Sequence, residues 1–312
     1  MNRVCEHLGS KYPIVQAPMG WIARSQLASA VCEAGGMGVI ETSSGETEAC
    51  QAEILKMREI TDKPFGVNLP ILFLREKTIL DFVCESGVKF VTTSAGSPKK
   101  FIGPLKEAGI IVYHAVPTVD AAVKCAEAGV DGLVVEGAEG GGFKNPEEVS
   151  TLVLLQAIRA KVDIPLIAAG GISDGKGMAA AFALGAEGVQ MGTRFVSSAE
   201  SPVHANYKNA IIEANEAGTW VLNKKASPCI RALKTERTAK IHEDGLMPAD
   251  TFANILDLYF GGDMEASVGL AGQSVGLINE IKPVKQIIEE TVAEFFEITG
   301  RMGACAENKN FG

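Results

Sequence analysis

Two glycine-rich runs stand where backbone alone can bind a phosphate. The first reads Ala169-Gly170-Gly171-Ile172-Ser173-Asp174-Gly175 and the second Met191-Gly192-Thr193-Arg194-Phe195. Paired glycines expose backbone N–H groups, a Ser or Thr hydroxyl adds a donor, and the start of a following helix adds partial positive charge. Together these make a phosphate cradle. A third run, Gln16-Ala17-Pro18-Met19-Gly20-Trp21, passes from polar to apolar and suits backbone and a thioether laid against a flat ring. Asn68, in Gly66-Val67-Asn68-Leu69-Pro70, carries an amide that both donates to and accepts from a heteroaromatic edge. Taken singly, the glycines read as tight turns and Asn68 as structural. Taken together they ask for a phosphate-bearing aromatic cofactor, and FMN has that shape.

The elements that must position these residues repeat one theme. Eight apolar, β-branched runs alternate with amphipathic helical patterns: Ile14–Met19, Met37–Glu41, Phe65–Pro70, Phe90–Ser94, Ile110–Val116, Gly132–Glu136, Pro165–Ala169 and Gly188–Met191. Continuous apolar strands belong to parallel sheets buried on both faces. The helices end alike, as in EAGGMGVI from Glu33 and EAGVDGLV from Glu127, with a Gly where the C-terminus turns left-handed. Eight such units, without a GxGxxG after the first strand, predict a (β/α)8 TIM barrel and not a doubly wound sheet. On this reading residues 1–196 and 277–300 form the barrel. Residues 197–276 form a mostly helical insertion after strand 8, with no convincing strand, serving as a lid or substrate subdomain. Pro283–Ile298 is the last barrel helix, and residues 301–312 a flexible tail.

Composition excludes several classes. The 312 residues carry a net charge of -9, which leaves no positive field for nucleic acid or an anionic membrane. No apolar run reaches membrane-spanning length and the first residues lack a signal-peptide h-region, so the expected location is cytoplasmic. The 7 Cys are scattered and without a CxxC, so most are expected to be buried thiols with neither a disulfide framework nor a metal site. Glu200, Ser201 and His204 show no spacing for a nucleophilic triad.

Seven motifs in order carry a family resemblance: VQAPMGW at 15–21, AGG before the second strand, GVNLP at 66–70, EGAEGGG at 136–142, PLIAAGGISDG at 165–175, GVQMGTRF at 188–195 and AGQSVGLI at 271–278. The chain resembles the nitronate monooxygenase (2-nitropropane dioxygenase) family, which includes the FabK-type enoyl-ACP reductases. The resemblance implies a TIM barrel with non-covalent FMN, its phosphate on Gly170, Gly171, Gly192 and Thr193. It also implies that Ala17, Pro18, Met19, Gly20, Asn68 and Gln190 lie near the ring or the ribityl chain.

The match departs at one place. After strand six the family has a Glu, two small residues, a Gly and a His, whereas this chain reads Glu139-Gly140-Gly141-Gly142-Phe143-Lys144-Asn145. Phe143 therefore occupies the family histidine position, and it can neither accept a proton nor balance an anion. Lys144 as a cation, Glu139 as a carboxylate and His114 as an imidazole are the candidate replacements; the alternatives are a solvated lysine and a core histidine. Lys224, Lys225, Arg231, Lys234, Arg237 and Lys240 form a basic cluster in the insertion. It is either a solvated face or a docking site for NADPH, coenzyme A or a phosphopantetheine arm.

The leading expectation is an FMN-dependent oxidoreductase linked to NAD(P)H that reduces an activated C=C or C=O on a small molecule or an acyl-CoA or ACP thioester. The alternatives are a nitronate monooxygenase oxidising alkyl nitronates with O2, and a catalytically silent flavin-binding subunit. A nicotinamide would bind transiently over the flavin, and a homodimer is left open.

Overall fold

Alternating apolar strands and helices close around a cylinder in the computed structural model, which describes residues 2–74 and 78–308. The strands in chain order are β1 Ile14–Gln16, β2 Val39–Ile40, β3 Gly66–Pro70, β4 Phe90–Ser94, β5 Ile111–Val116, β6 Gly132–Glu136, β7 Gly142–Phe143, β8 Leu166–Ala169, β9 Gly188–Met191, β10 Thr219–Leu222 and β11 Ile230–Leu233. Eight of them form one sheet in the order β1-β9-β8-β6-β5-β4-β3-β2, and every neighbouring pair is parallel. The last gap is bridged where Val15 meets Met37, with Met37 N–H donating to Ile14 O at 2.8 Å and Gln16 N–H to Met37 O at 2.9 Å. Beyond that bridge the Gln16 side chain substitutes for missing ladder bonds: its Oε1 accepts from Val39 N–H and its Nε2 donates to Val39 O, both at 3.2 Å. The fold is a (β/α)8 TIM barrel, as the repeat predicts.

Val15, Met37, Val39, Phe90, Tyr113, Val134, Ile167 and Ala169 fill the cylinder, and Val4 and Leu8 of the helix Arg3–Leu8 join them. The alternate residues face the helices, where a second and larger core lies. The glycine repeat does what the sequence predicts. Gly129, for instance, takes φ 92° as it ends the helix Val119–Ala128. Cys32, Cys50, Cys125 and Cys229 are buried, Cys5 and Cys84 half-buried and Cys305 exposed, all as free thiols.

Two features differ from the expectation. The segment after β9 holds the helices Ala205–Glu213, Glu236–Asp244 and Ile255–Tyr259 among much irregular chain, and it also holds the antiparallel pair β10 and β11, to which β7 adds as a third strand. Four-residue strands give too short a period to register beside helices, and Arg231 interrupts the apolar pattern of β11. The closing helix runs Val284–Asn308, so residues 301–308 continue it as helix. Met302, Ala304 and Ala306 favour helix, and no chain-stopping Pro follows. Its Phe295 ring meets Phe182 at 4.9 Å, and its Glu294 carboxylate accepts the Gly175 N–H at 2.9 Å. Residues 309–312 lie outside the described residues. Among those described, no helix is long and apolar enough to cross a membrane.

Candidate active site

The strand ends converge as the barrel rule requires. Ala17 N–H donates to Met191 O at 2.9 Å, which brings the end of β1 beside the end of β9. A Cβ on Gly192 would stand 3.6 Å from Ala17 Cβ and 3.9 Å from Met19 Sδ, so these three residues share one wall. Gln190 is in register with Val15 and Ala169, both of which point inward, and it shares their face. Asn68 points inward from β3 and is held there, its Nδ2 donating to Thr92 O at 3.1 Å and lying 3.0 Å from Thr92 Oγ1.

Across the mouth, three backbones approach within van der Waals contact. A Cβ on Gly170 would fall 3.0 Å from Gly140 N, one on Gly171 3.2 Å from Glu139 Cβ, and one on Gly272 2.6 Å from Glu139 O. Gly170 and Gly171 take φ of 95° and 75°, which only glycine adopts without strain. Thr193 Oγ1 accepts the Gly272 N–H at 2.9 Å and Glu139 O accepts the Gln273 N–H at 2.8 Å, pinning this corner to a segment past the insertion. Ser173 Oγ, in the same glycine run, is buried without a hydrogen-bond partner among the described residues. A backbone-lined cradle with an unpaired buried hydroxyl fits a phosphate, and the wall formed by Ala17, Met19 and Gly192 fits a flat ring beside it.

The loop after β6 carries the charged chemistry. Glu136, the last residue of β6, shares the inward face of Val134 and Ala169. Its Oε1 forms an ion pair with Lys144 Nζ, and the Lys144 side chain is only 3% exposed. A Cβ on Gly140 would lie 2.7 Å from Glu136 Oε1 and 2.9 Å from Lys144 Nζ, so the loop backbone lies against the pair. Phe143, 50% exposed, pairs in register with Ile230 of β11. It lines a small cavity with Glu136, Lys144, Pro117, Glu148 and Val149. Glu136 is absent from the sequence candidates. Its position as the final inward residue of a barrel strand is the signal that points to it.

The other candidates sit elsewhere. Both Glu139 carboxylate oxygens are taken by Thr151, the backbone N–H donating at 2.9 Å and 3.1 Å and the hydroxyl at 2.9 Å, so this carboxylate caps the helix Thr151–Arg159. His114 faces the helix layer with Val112 and Val116, away from the barrel interior, and is 4% exposed. Its Nδ1 lies 2.7 Å from Thr93 Oγ1. Burial pushes its pKa down to about 4, against a smaller opposing effect of the Gly96 backbone, so the ring is neutral.

The basic cluster divides as well. Arg231 is buried, its Nε donating to Ala138 O at 2.8 Å and its Nη1 to Thr219 Oγ1 at 3.1 Å, with Glu148 3.7 Å from Nη2. Desolvation pulls its pKa down and Glu148 opposes this. Lys224 also pairs with Glu148. Lys225, Lys234 and Lys240 remain exposed, and Lys234 Nζ lies 3.9 Å from the Trp220 ring centroid.

A family model described as nitronate monooxygenase matches residues 2–83 and 72–294. The chain belongs to the nitronate monooxygenase family. FabK from Thermotoga maritima superposes on this family member with TM-score 0.93 at 41% identity, over 97% of this chain and 99% of that one. A (3aS,4S,5R,7aS)-5-hydroxy-7a-methyl-1-oxo-octahydro-1H-indene-4-carboxyl-CoA dehydrogenase from Mycobacterium tuberculosis is 31% identical over 93% of this chain and 94% of its own. A nitronate monooxygenase from Pseudomonas aeruginosa is 29% identical over 94% of this chain and 99% of its own. The protein is thus an oxidoreductase of a flavin-dependent family.

Proposed function

We propose that this nitronate monooxygenase family member is an FMN-dependent reductase that uses NAD(P)H to reduce an activated C=C or C=O on an acyl-CoA or carrier-protein thioester. The observation that carries this reading is the charge balance around Phe143. The family's imidazole is replaced by a half-exposed hydrocarbon ring, and the nearest cation, Lys144, is buried and neutralised by Glu136. An anionic nitronate meets no imidazole there, and the cation of the cavity lining already holds a carboxylate. An uncharged acyl chain meets an apolar cover.

FMN supplies the two-electron hydride chemistry when bound. Gly170, Gly171, Gly192 and Thr193, with Ser173, would hold its phosphate through backbone N–H groups and hydroxyls. Ala17, Pro18, Met19 and Gly20 would lie along its ring, with Asn68 and Gln190 donating to or accepting from polar ring and ribityl atoms. Phe143 excludes water above the pocket. The insertion, residues 197–276, would serve as a substrate subdomain, with exposed Lys225, Lys234 and Lys240 available to the phosphates of coenzyme A or NADPH. The relative named as a carboxyl-CoA dehydrogenase supports a thioester substrate.

The test is an anaerobic visible spectrum of the purified protein, titrated with NADH and then NADPH and reoxidised with crotonyl-CoA. Bleaching by one nicotinamide and recovery with the thioester are expected, and Phe143→His lowers that turnover. A flavin left unbleached by both, with oxygen consumed on adding propionate 3-nitronate, overturns the reading in favour of nitronate oxidation. A protein that neither carries nor takes up FMN removes the cofactor assignment.

A further inference from the structure

Three charged side chains, Glu136, Lys144 and Glu148, line the small cavity beside Phe143, and each has an ionic partner. Glu148 answers Lys224 and Arg231, while Glu136 answers Lys144. The two pairings differ in depth. Lys224 is half-exposed and exchanges its partner for water at little cost, whereas the Lys144 ammonium is enclosed by the loop backbone at Gly140 and is paired with Glu136. Lys144 follows Phe143 directly, so the cation stands one residue from the position where the family has a histidine. Its backbone is fixed as well, because Lys144 N–H donates to Cys229 O at 2.8 Å just before β11 begins.

We infer that Glu136 is a specificity-determining residue: by neutralising Lys144 it keeps small anions off this buried cation. That this exclusion sets substrate choice rests on the thioester reading, while the exclusion itself stands on the ion pair alone. An anion approaching Lys144 must displace a carboxylate already in contact with Nζ and tethered to the same loop. Without the carboxylate, a buried ammonium lacks its counter-ion, and the most available replacement is a small anion from solution.

The experiment is a calorimetric titration of the purified protein with nitrate, an anion of the size and planarity of a small nitronate. Glu136→Gln keeps the shape and an acceptor oxygen but removes the charge, and is expected to bind nitrate about ten-fold tighter or more than the unaltered chain. The double variant Glu136→Gln with Lys144→Met should lose that gain. Equal nitrate affinity in the unaltered chain and Glu136→Gln, or a gain that survives Lys144→Met, overturns the inference. Should Glu136→Gln not fold in dilute buffer, Glu136→Asp, whose shorter side chain withdraws the carboxylate from Nζ, is titrated in its place and should show a smaller gain in the same direction. No gain there is equally fatal. Failure of the protein to bleach with NAD(P)H would remove the thioester reading and leave the nitrate result standing.

Discussion

The Thr193 hydroxyl oxygen accepts the Gly272 N–H at 2.9 Å, and this one bond ties the end of β9 to a residue 79 positions further along the chain. Both partners lie at the glycine-lined corner assigned to a phosphate, so the bond sets the shape of that corner as well as its stability. Thr193→Val keeps the volume and leaves a buried N–H unanswered. The expected cost is about 1–3 kcal/mol in urea denaturation, with a lower flavin-to-protein ratio on purification, and Thr193→Ser should recover most of both. An unchanged unfolding midpoint would show that the corner repacks without the hydroxyl.

Gly170→Ala asks for φ near 95° from an L-residue and places a methyl 3.0 Å from both Gly140 N and Thr151 Oγ1. Left-handed backbone alone costs roughly 1–2 kcal/mol, and the contact adds to it. The variant should melt lower and retain less flavin. Gly103→Ala is the control: Gly103 lies inside the helix Lys99–Glu107 with nothing within 4 Å of its added Cβ, and should stabilise by about 1 kcal/mol or less.

His114 predicts a pH dependence. Its pKa falls from an ordinary 6.5 to about 4 on folding. The unfolded chain therefore binds a proton first, and stability falls as pH drops from 6.5 towards 4, by at most about 3 kcal/mol from this residue. Above pH 6.5 the group has no influence. His114→Gln should flatten that part of the stability profile while leaving the proposed NAD(P)H-linked turnover in place. A turnover lost with His114→Gln at unchanged stability would mean the ring reaches the substrate after all.

Much of this molecule is readable before folding, because its strongest signals are local. The runs around Val67, Val112 and Ile167, each followed by a helix that ends in glycine (Gly87, Gly129 and Gly185), state a parallel barrel, and Gly170, Gly192 and Ala17 fall where such runs end. What escapes is set by tertiary partners. The Glu136–Lys144 pair joins residues eight apart across a glycine loop whose path no periodicity encodes. Glu139, a neighbour in sequence, is diverted to cap a helix because Thr151 comes within reach. The strands β10 and β11 hide because TWVL and IRAL are too short to show alternation. Strand alternation places His114 as well: Tyr113 and Ala115 face the cylinder, so the residue between them faces away.

The pairing of β7 with β11 joins Phe143, which lines the small cavity, to a sheet that lies otherwise outside that lining. Phe143 and Ile230 are therefore neighbours on a single sheet, and a substrate that lifts β11 must lift Phe143 with it. Cover and support then belong to one sheet, and a substitution on β10 or β11, outside the cavity lining, is felt at Phe143 through the strand pairing.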